Sequence, residues 1–345
     1  MKGRVIILDR IGEREAAALM VDGQLEDIAI DAPDLALAPG AICRAVADRP
    51  MKGQGGIFVK LPGGQGFLRQ ISGISPGQRL IVQVSGPAEP GKALPVTIRV
   101  LFKSRYAIIT PGAPGLNISR RIRDEALRAE LERLASGAMQ GAAPDLGLIL
   151  RSVCDQAGDE DIAEDIAALR RLAEVVLADL DGGPELLVDA PGAHELAWRD
   201  WGDPAPDEVV DEDGAFAAHG VADQLDALAA ARADLPGGGH LWIESTRALV
   251  AVDVNTGADT SPAAALKVNI AAARDLPRQL RLRGLGGQVV IDFAPMPKRD
   301  RNILDQVIRA AFRAGGEVTL AGWTGLGLYE LTRRRDRPAL TGLWP

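Results

Sequence analysis

Hydrophobic and polar positions change period several times along the chain, and each change marks a different kind of element. The opening reads as short apolar runs: Arg4-Val5-Ile6-Ile7-Leu8-Asp9, then Ala18 to Gln24 with a turn, then Leu25 to Ile30. They predict a small antiparallel meander of three strands. From about residue 38 to 104 five runs follow, Ala41 to Ala47, Gly56 to Leu61, Gly66 to Arg69, Arg79 to Val84 and Val96 to Leu101, separated by glycine- and proline-rich turns. That spacing fits a small closed barrel. The period then lengthens. A strand at Tyr106 to Pro111 precedes a helix with Leu127, Leu131 and Leu134 at spacings of four and three, and a strand at Gly147 to Ser152 precedes an acidic helix from about Asp159 to Asp179. Between 183 and 239 the pattern is weakest. Gly182-Gly183-Pro184 and Gly202-Asp203-Pro204-Ala205-Pro206 read as turns, and Val221 to Leu235 reads as an alanine-rich helix stopped by Pro236-Gly237-Gly238-Gly239.

The stretch from Leu241 to Met296 carries the candidate chemistry. It reads as strand, loop, helix, strand, with apolar runs ending in Asp253-Val254-Asn255 and in Asp292. Side chains two apart on a strand share a face, so Asp253 and Asn255 project together. A helix-containing connection suits a right-handed crossover between parallel strands, which would bring Asp292 to the same sheet edge. Asp253, Asn255 and Asp292 then form a candidate cage for Mg2+, a cation held by one or two carboxylates, its own waters and a substrate phosphate. Alternatively, an aspartate closing a strand serves a turn or a helix cap. The connecting helix places Leu266, Ile270, Ala273 and Leu280 on one stripe, and Pro277 is expected to kink it or end its first half. Arg278, Arg281 and Arg283, with Lys298, Arg299 and Arg301, are candidate counter-ions for a nucleic-acid backbone. The other reading is a solvated basic face.

Composition adjusts this picture little. With 345 residues, 47% hydrophobic and 25% charged, the chain is long enough for two or three packed units. No apolar run approaches the roughly 20 residues needed to span a bilayer, and the first residues do not read as a signal peptide, so a cytoplasmic location is expected. Cys43 and Cys154 lack any C-x-x-C spacing and are expected to be buried thiols. A net charge of −8 argues against a nucleic-acid partner until its distribution is read: 15 Lys and Arg against 10 Asp and Glu from His240 onward, 24 against 37 before it. The acidic excess lies upstream of the candidate site.

The ordered runs Ala251-Val252-Asp253-Val254-Asn255-Thr256, Arg278-Gln279-Leu280-Arg281-Leu282-Arg283 and Leu285-Gly286-Gly287-Gln288-Val289-Val290-Ile291-Asp292-Phe293 resemble the catalytic core of the ribonuclease E/G family. The resemblance implies a multi-domain α/β (α+β) fold: a shortened ribonuclease-H-like subdomain from 1–37 plus 183–239, an inserted S1 barrel of the OB type over 38–104, a 5′-sensor region over 105–182, and a DNase-I-like catalytic subdomain over 240–345. By the same resemblance Asp253 and Asp292 bind magnesium, Asn255 orients the attacking water, and the activity is endonucleolytic hydrolysis of single-stranded RNA.

Three further expectations rest on it. Phe58 and Phe67, on adjacent predicted strands, match the paired phenylalanines of the family's S1 barrel and are expected to stack bases, rather than to fill the barrel core. Arg151 and Ser152 occupy the place of an Arg-Thr pair that recognises a 5′ monophosphate; alternatively Arg151 is an ion-pair partner for the acidic helix. No cysteine motif of the zinc-linked members precedes Pro345, so a zinc-linked dimer is not expected, and oligomeric state is left open. The chain departs from the family where the loop after Leu68 and the loop from Asn255 to Asn269 are short, where Glu317 replaces a basic residue, and where Asp292-Phe293-Ala294-Pro295-Met296 lacks a second aspartate. Those departures motivate the competing expectation of a weakly active or inactive RNA-binding paralogue. A third reading, a phosphodiesterase acting on a small nucleotide or DNA, leaves the barrel unexplained.

Overall fold

The computed structural model describes residues 2–32, 37–51, 55–69, 73–259, 261–313 and 317–344. The shortened loop expected after Leu68 falls largely on 70–72, outside the described residues. Alternating apolar positions form β1 (Arg4–Ile11), β2 (Arg14–Val21) and β3 (Gln24–Ile30), the expected antiparallel meander. Next come β4 (Ile42–Met51), β5 (Gly56–Leu61), β6 (Gly64–Arg69), β7 (Arg79–Val84) and β8 (Leu94–Thr97). Because β4 pairs with both β5 and β7, these five strands close into a barrel around Cys43, Ala45, Val59, Leu68, Val82 and Val96. Closure removes the exposed sheet edges.

The third unit is built from β9 (Phe102–Lys103), β10 (Ala107–Pro111), β11 (Gly115–Ile118), α1 (Glu125–Ala138), β12 (Leu146–Leu150) and α2 (Asp159–Ala178). Asp124 accepts hydrogen bonds from the Ala126 and Leu127 amides and so starts α1. Leu131, Ile162, Ile166 and Leu169 of the two helices pack on Ile109, Leu148 and Leu150 of the sheet. After α2, β13 (Glu185–Val188) adds to β4 where β5 leaves off. The buried Arg44 guanidinium, paired with Asp179 and Glu185, ties the barrel to the end of α2. Both cysteines are free and buried, as expected, and burial pushes the thiols up to about 11 for Cys43 and about 12 for Cys154.

The weakly patterned segment returns to the first sheet. It supplies α3 (Ala193–Asp200), β14 (Glu208–Asp211), α4 (Ala215–Ala218) and α5 (Val221–Ala229), with β14 parallel to β1. Ala197 and Trp201 pack on one face of that sheet against Ile6, Ala17 and Leu19. Phe216, Val221 and Leu225 pack on the other against Val5, Ile7 and Met20. The helix predicted to reach Leu235 stops at Ala229, because Arg232–Asp234 forms β15 and pairs with the strand that follows.

The C-terminal sheet comprises β15 (Arg232–Asp234), β16 (His240–Ser245), β17 (Val250–Asn255), β18 (Gly287–Asp292), β19 (Val318–Trp323) and β20 (Tyr329–Arg333), in the order β15-β16-β17-β18-β20-β19. Its helices, α6 (Pro262–Leu282) and α7 (Arg301–Ala311), cover one face. Two expectations about α6 are corrected. Its buried face is Ala265, Val268, Ala272, Ala273, Leu276 and Leu280, so the expected Ala273 and Leu280 are core residues while Leu266 and Ile270 are only half-buried. Pro277 does not end it, because the buried ring costs one internal hydrogen bond while the flanking leucines stay anchored on the sheet. Among the described residues no helix is long and apolar enough to cross a membrane.

Candidate functional site

α6 carries the chain from β17 back to β18, which lies parallel beside it. In this register Asp253 is the direct partner of Asp292. The alternation that buries Val252, Val254, Val289 and Ile291 under the helices leaves both aspartates on the open face, each at the end of its apolar run. Asn255 shares that face, and its Nδ2 donates to Asp253 Oδ2 at 2.8 Å. Its carboxamide oxygen remains an acceptor. Among the described residues neither aspartate has a salt-bridge partner, and no three His, Cys, Asp or Glu side chains converge. Two uncompensated carboxylates side by side, with a carboxamide next to them, fit a hard cation that keeps most of its waters. Asp253 and Asp292 would hold it.

The segment after Asp292 is fixed by a residue that the hydrophobic pattern did not single out. Asn269, on α6 and fully buried, donates from Nδ2 to the Ala294 carbonyl at 2.8 Å and accepts from the Ala294 amide at 3.0 Å. The available signal was a polar residue inside the buried stripe of α6. At the other end of that helix, Gly284 (φ 64°) and Leu285 donate to the Arg281 and Leu280 carbonyls, a left-handed cap that aims the chain into β18.

The basic residues of α6 do not face the aspartates. Arg278 bonds Asp275 and the Leu25 carbonyl; Arg281 bonds the Glu26 carbonyl and carboxylate. Arg283 is buried and donates to the Leu228 and Ala230 carbonyls. Arg278 and Arg281 thus join the C-terminal unit to the first sheet and Arg283 joins it to the end of α5, so the expected RNA contacts would have to be made beside these internal bonds. Spacing alone could not separate the two roles, since both need arginine on one helical face. Lys298 and Arg299 are exposed, whereas the Arg301 guanidinium lies over the Trp323 ring at 4.5 Å.

On the barrel, Phe58 and Phe67 are direct cross-strand partners with ring centroids 5.0 Å apart. Both are half-buried and stand outside the barrel core, and the Arg49 guanidinium lies 5.4 Å from the Phe58 ring centre. They form an outward aromatic pair.

Arg151 and Ser152 sit together at the end of β12, and each already bonds a carboxylate. Arg151 donates to the Ser104 carbonyl at 2.8 Å and to Asp200 Oδ1 at 2.9 Å; Ser152 bonds Asp203, which Arg121 also approaches at 2.8 Å. The ion-pair partner of Arg151 is thus the last residue of α3 and not the acidic helix α2. Burial alone would raise the Asp200 carboxyl, but hydrogen bonding and charge from Arg199 and the charge of Arg151 outweigh it and hold the carboxyl below its ordinary range. Glu317, in turn, pairs with Arg334.

Comparison with known proteins gives this geometry a setting. The family model described as the ribonuclease E/G family matches residues 102–214 and 207–336. Ribonuclease G of Salmonella typhimurium is 29% identical over 306 residues, 76% of this chain and 61% of that protein. Ribonuclease G of Escherichia coli K12 is 28% identical over 305 residues, with the same shares. Ribonuclease E of Synechocystis is 30% identical over 303 residues, 76% of this chain and 44% of that protein. The chain therefore spans about three fifths of the length of the ribonuclease G proteins it matches. With the family model covering well over half of its residues, the chain belongs to the ribonuclease E/G family.

Proposed function

We propose that this protein is a magnesium-dependent endoribonuclease that hydrolyses phosphodiester bonds of single-stranded RNA in RNA processing or decay. The observation that carries this reading is the pairing of Asp253 with Asp292 across parallel strands, with Asn255 bonded to Asp253 on the same face. The relatives named ribonuclease G and ribonuclease E support it. Asp253 and Asp292 are the carboxylate ligands of the ion. Bound magnesium supplies charge stabilisation at a phosphoryl oxygen and acidifies water. Asn255 anchors Asp253 through its amide and offers its oxygen to the attacking water, fixing the line of approach to phosphorus. Phe58 and Phe67 stack bases on the barrel, each worth about 1–3 kcal/mol, and so retain the single strand while the sheet edge meets its backbone. Asn269 keeps the segment after Asp292 from moving the carboxylate.

The test is incubation with a fluorescent, AU-rich, single-stranded RNA in magnesium or EDTA, beside Asp253→Asn and Asp292→Asn. Internal cuts that require magnesium and fall at least about 100-fold in both variants are expected, since each exposed substitution removes a ligand charge without a packing change. A binding-only role is the second reading. It is motivated by the short loop between Asn255 and Asn269 and by Ala294-Pro295 in the segment after Asp292, both beside the aspartate pair. Tight binding that Phe58→Ala weakens, with the RNA left intact, would establish it instead.

A further inference from the structure

One row of the C-terminal sheet continues past the aspartates. Along the register, Asp292 pairs with Asp253, Asp253 with Trp242, and Trp242 with Arg232. Direct cross-strand partners point to the same face, so the open face presents, at steps of about 4.8 Å, two carboxylates, an indole and a guanidinium. Trp242 is 40% exposed, although its strand neighbours Leu241 and Ile243 are buried. The other strongly exposed tryptophan, Trp198, is covered by the Arg105 guanidinium at 3.8 Å. Among the described residues no cation lies over Trp242. His240 instead stands T-shaped to it, with ring centroids 6.4 Å apart, and the enclosed His240 Nδ1 has no hydrogen-bond partner among the described residues. An indole 40% exposed beside a carboxylate pair, with no cation over its ring among the described residues, has surface on which a base can stack.

We infer that Trp242 and Arg232 form a nucleotide subsite adjoining the aspartate pair, in which Trp242 stacks on a base flanking the scissile phosphate and Arg232 meets the next phosphate. This rests on the endoribonuclease reading for the identity of the ligand. The order of groups suits a single strand laid across the sheet: phosphate at Asp253 and Asp292, base at the indole one strand away, and backbone charge at the guanidinium beyond it. Arg232 is half-exposed, and its pairing with Asp234, only two residues along the edge strand, is a solvent-facing contact that a phosphate can replace. Trp242 is a positioning residue here, since it touches substrate away from the reacting atoms and selects for a base able to stack. Any base presents such a face, so the subsite favours unpaired RNA without demanding a particular nucleotide.

The test is a binding cycle in EDTA on a chain in which Asp253→Asn and Asp292→Asn remove the carboxylate charge that would otherwise repel the phosphate once the cation is gone. The chain also carries Phe58→Ala and Phe67→Ala so that the barrel does not mask the sheet. Affinity for an oligoadenylate and for an abasic ribose-phosphate oligomer of equal length is compared with and without Trp242→Ala. A loss of about 5- to 150-fold on the base-bearing oligomer is expected, with almost none on the abasic one, and with most of the affinity kept in Trp242→Phe. Equal losses on both oligomers would show that Trp242 acts through the fold, and no loss on either would show that no base rests there; both results overturn the subsite. Dimerisation abolished by Trp242→Ala, with RNA affinity unchanged, would assign the indole to a protein contact and overturn it likewise. Cleavage by the unsubstituted chain in magnesium is scored separately. Intact RNA there refutes the nuclease reading while the binding cycle still decides the subsite.

Discussion

At the level of single residues, the fate of Arg151 and Ser152 has a functional consequence. Arg151 bonds Asp200 and Ser152 bonds Asp203, so a 5′ phosphate would have to compete with two neighbouring carboxylates. Cleavage rates for RNA with a 5′ monophosphate and with a 5′ hydroxyl are therefore expected to agree within about twofold, a margin worth less than half a kcal/mol. An Asp200→Asn, Asp203→Asn variant should gain a preference for the monophosphate, as measured by initial rates on the two RNAs. The depressed carboxyl of Asp200 adds a pH signature. A carboxylate with a lowered folded-state value contributes stability above its unfolded value of about 3.9, and that contribution is lost as pH falls through the folded value. The stability difference between the parent and Asp200→Asn should be constant from pH 6 to 8 and shrink below about pH 4, as read by urea unfolding. The presence of Arg151 and Ser152 was legible in the sequence. Their partners were not, because Asp200 and Asp203 lie some fifty residues away in a segment without clear periodicity.

At the level of elements, the crossover from β17 through α6 to β18 determines the site. The sequence showed it well: apolar runs of strand length flank a helix-length segment, and right-handed crossover then forces the strand ends together. The detail of the helix was less legible. Pro277 argued for a break, but packing of Leu276 and Leu280 on the sheet outweighs one lost hydrogen bond. The exit from α6 is more sensitive. Gly284 has positive φ, and a Cβ there would meet the Pro338 carbonyl oxygen at 2.0 Å. Gly284→Ala is expected to destabilise by more than about 1 kcal/mol. It should also lower magnesium-dependent cleavage more than RNA binding, because it shifts the start of β18 and with it Asp292. Denaturation midpoints together with kcat and Kd would show this.

Across the whole molecule, arginines sit at the joints between units. Arg44 ties the barrel to α2, while Arg278, Arg281 and Arg283 tie the C-terminal unit to the first sheet and to the segment after α5. Their guanidiniums satisfy backbone carbonyls that water would otherwise reach, which suits contacts made across surfaces more polar than a core. Arg278→Ala with Arg281→Ala should lower stability by about 2–4 kcal/mol, the loss of several hydrogen bonds to charged groups. RNA affinity should change less than about twofold, a split that thermal unfolding and anisotropy would resolve. A loss of affinity without a loss of stability would return these arginines to the RNA surface.

Outside the weakly patterned segment 183–239, the sequence by itself determined most of the strands and helices, the barrel with its paired phenylalanines, and the convergence of Asp253, Asn255 and Asp292. Each follows from local periodicity or from a handedness rule acting over one crossover. Only the tertiary structure decided what the charged side chains do. An arginine on an amphipathic helix has the same local signature whether it meets a phosphate, a carboxylate or a carbonyl, and the partner comes from a strand or helix tens to hundreds of residues away. The same holds for Trp242, whose position beside Asp253 depends on the register of β16 against β17. Register is a property of paired strands, and no single run of residues contains it.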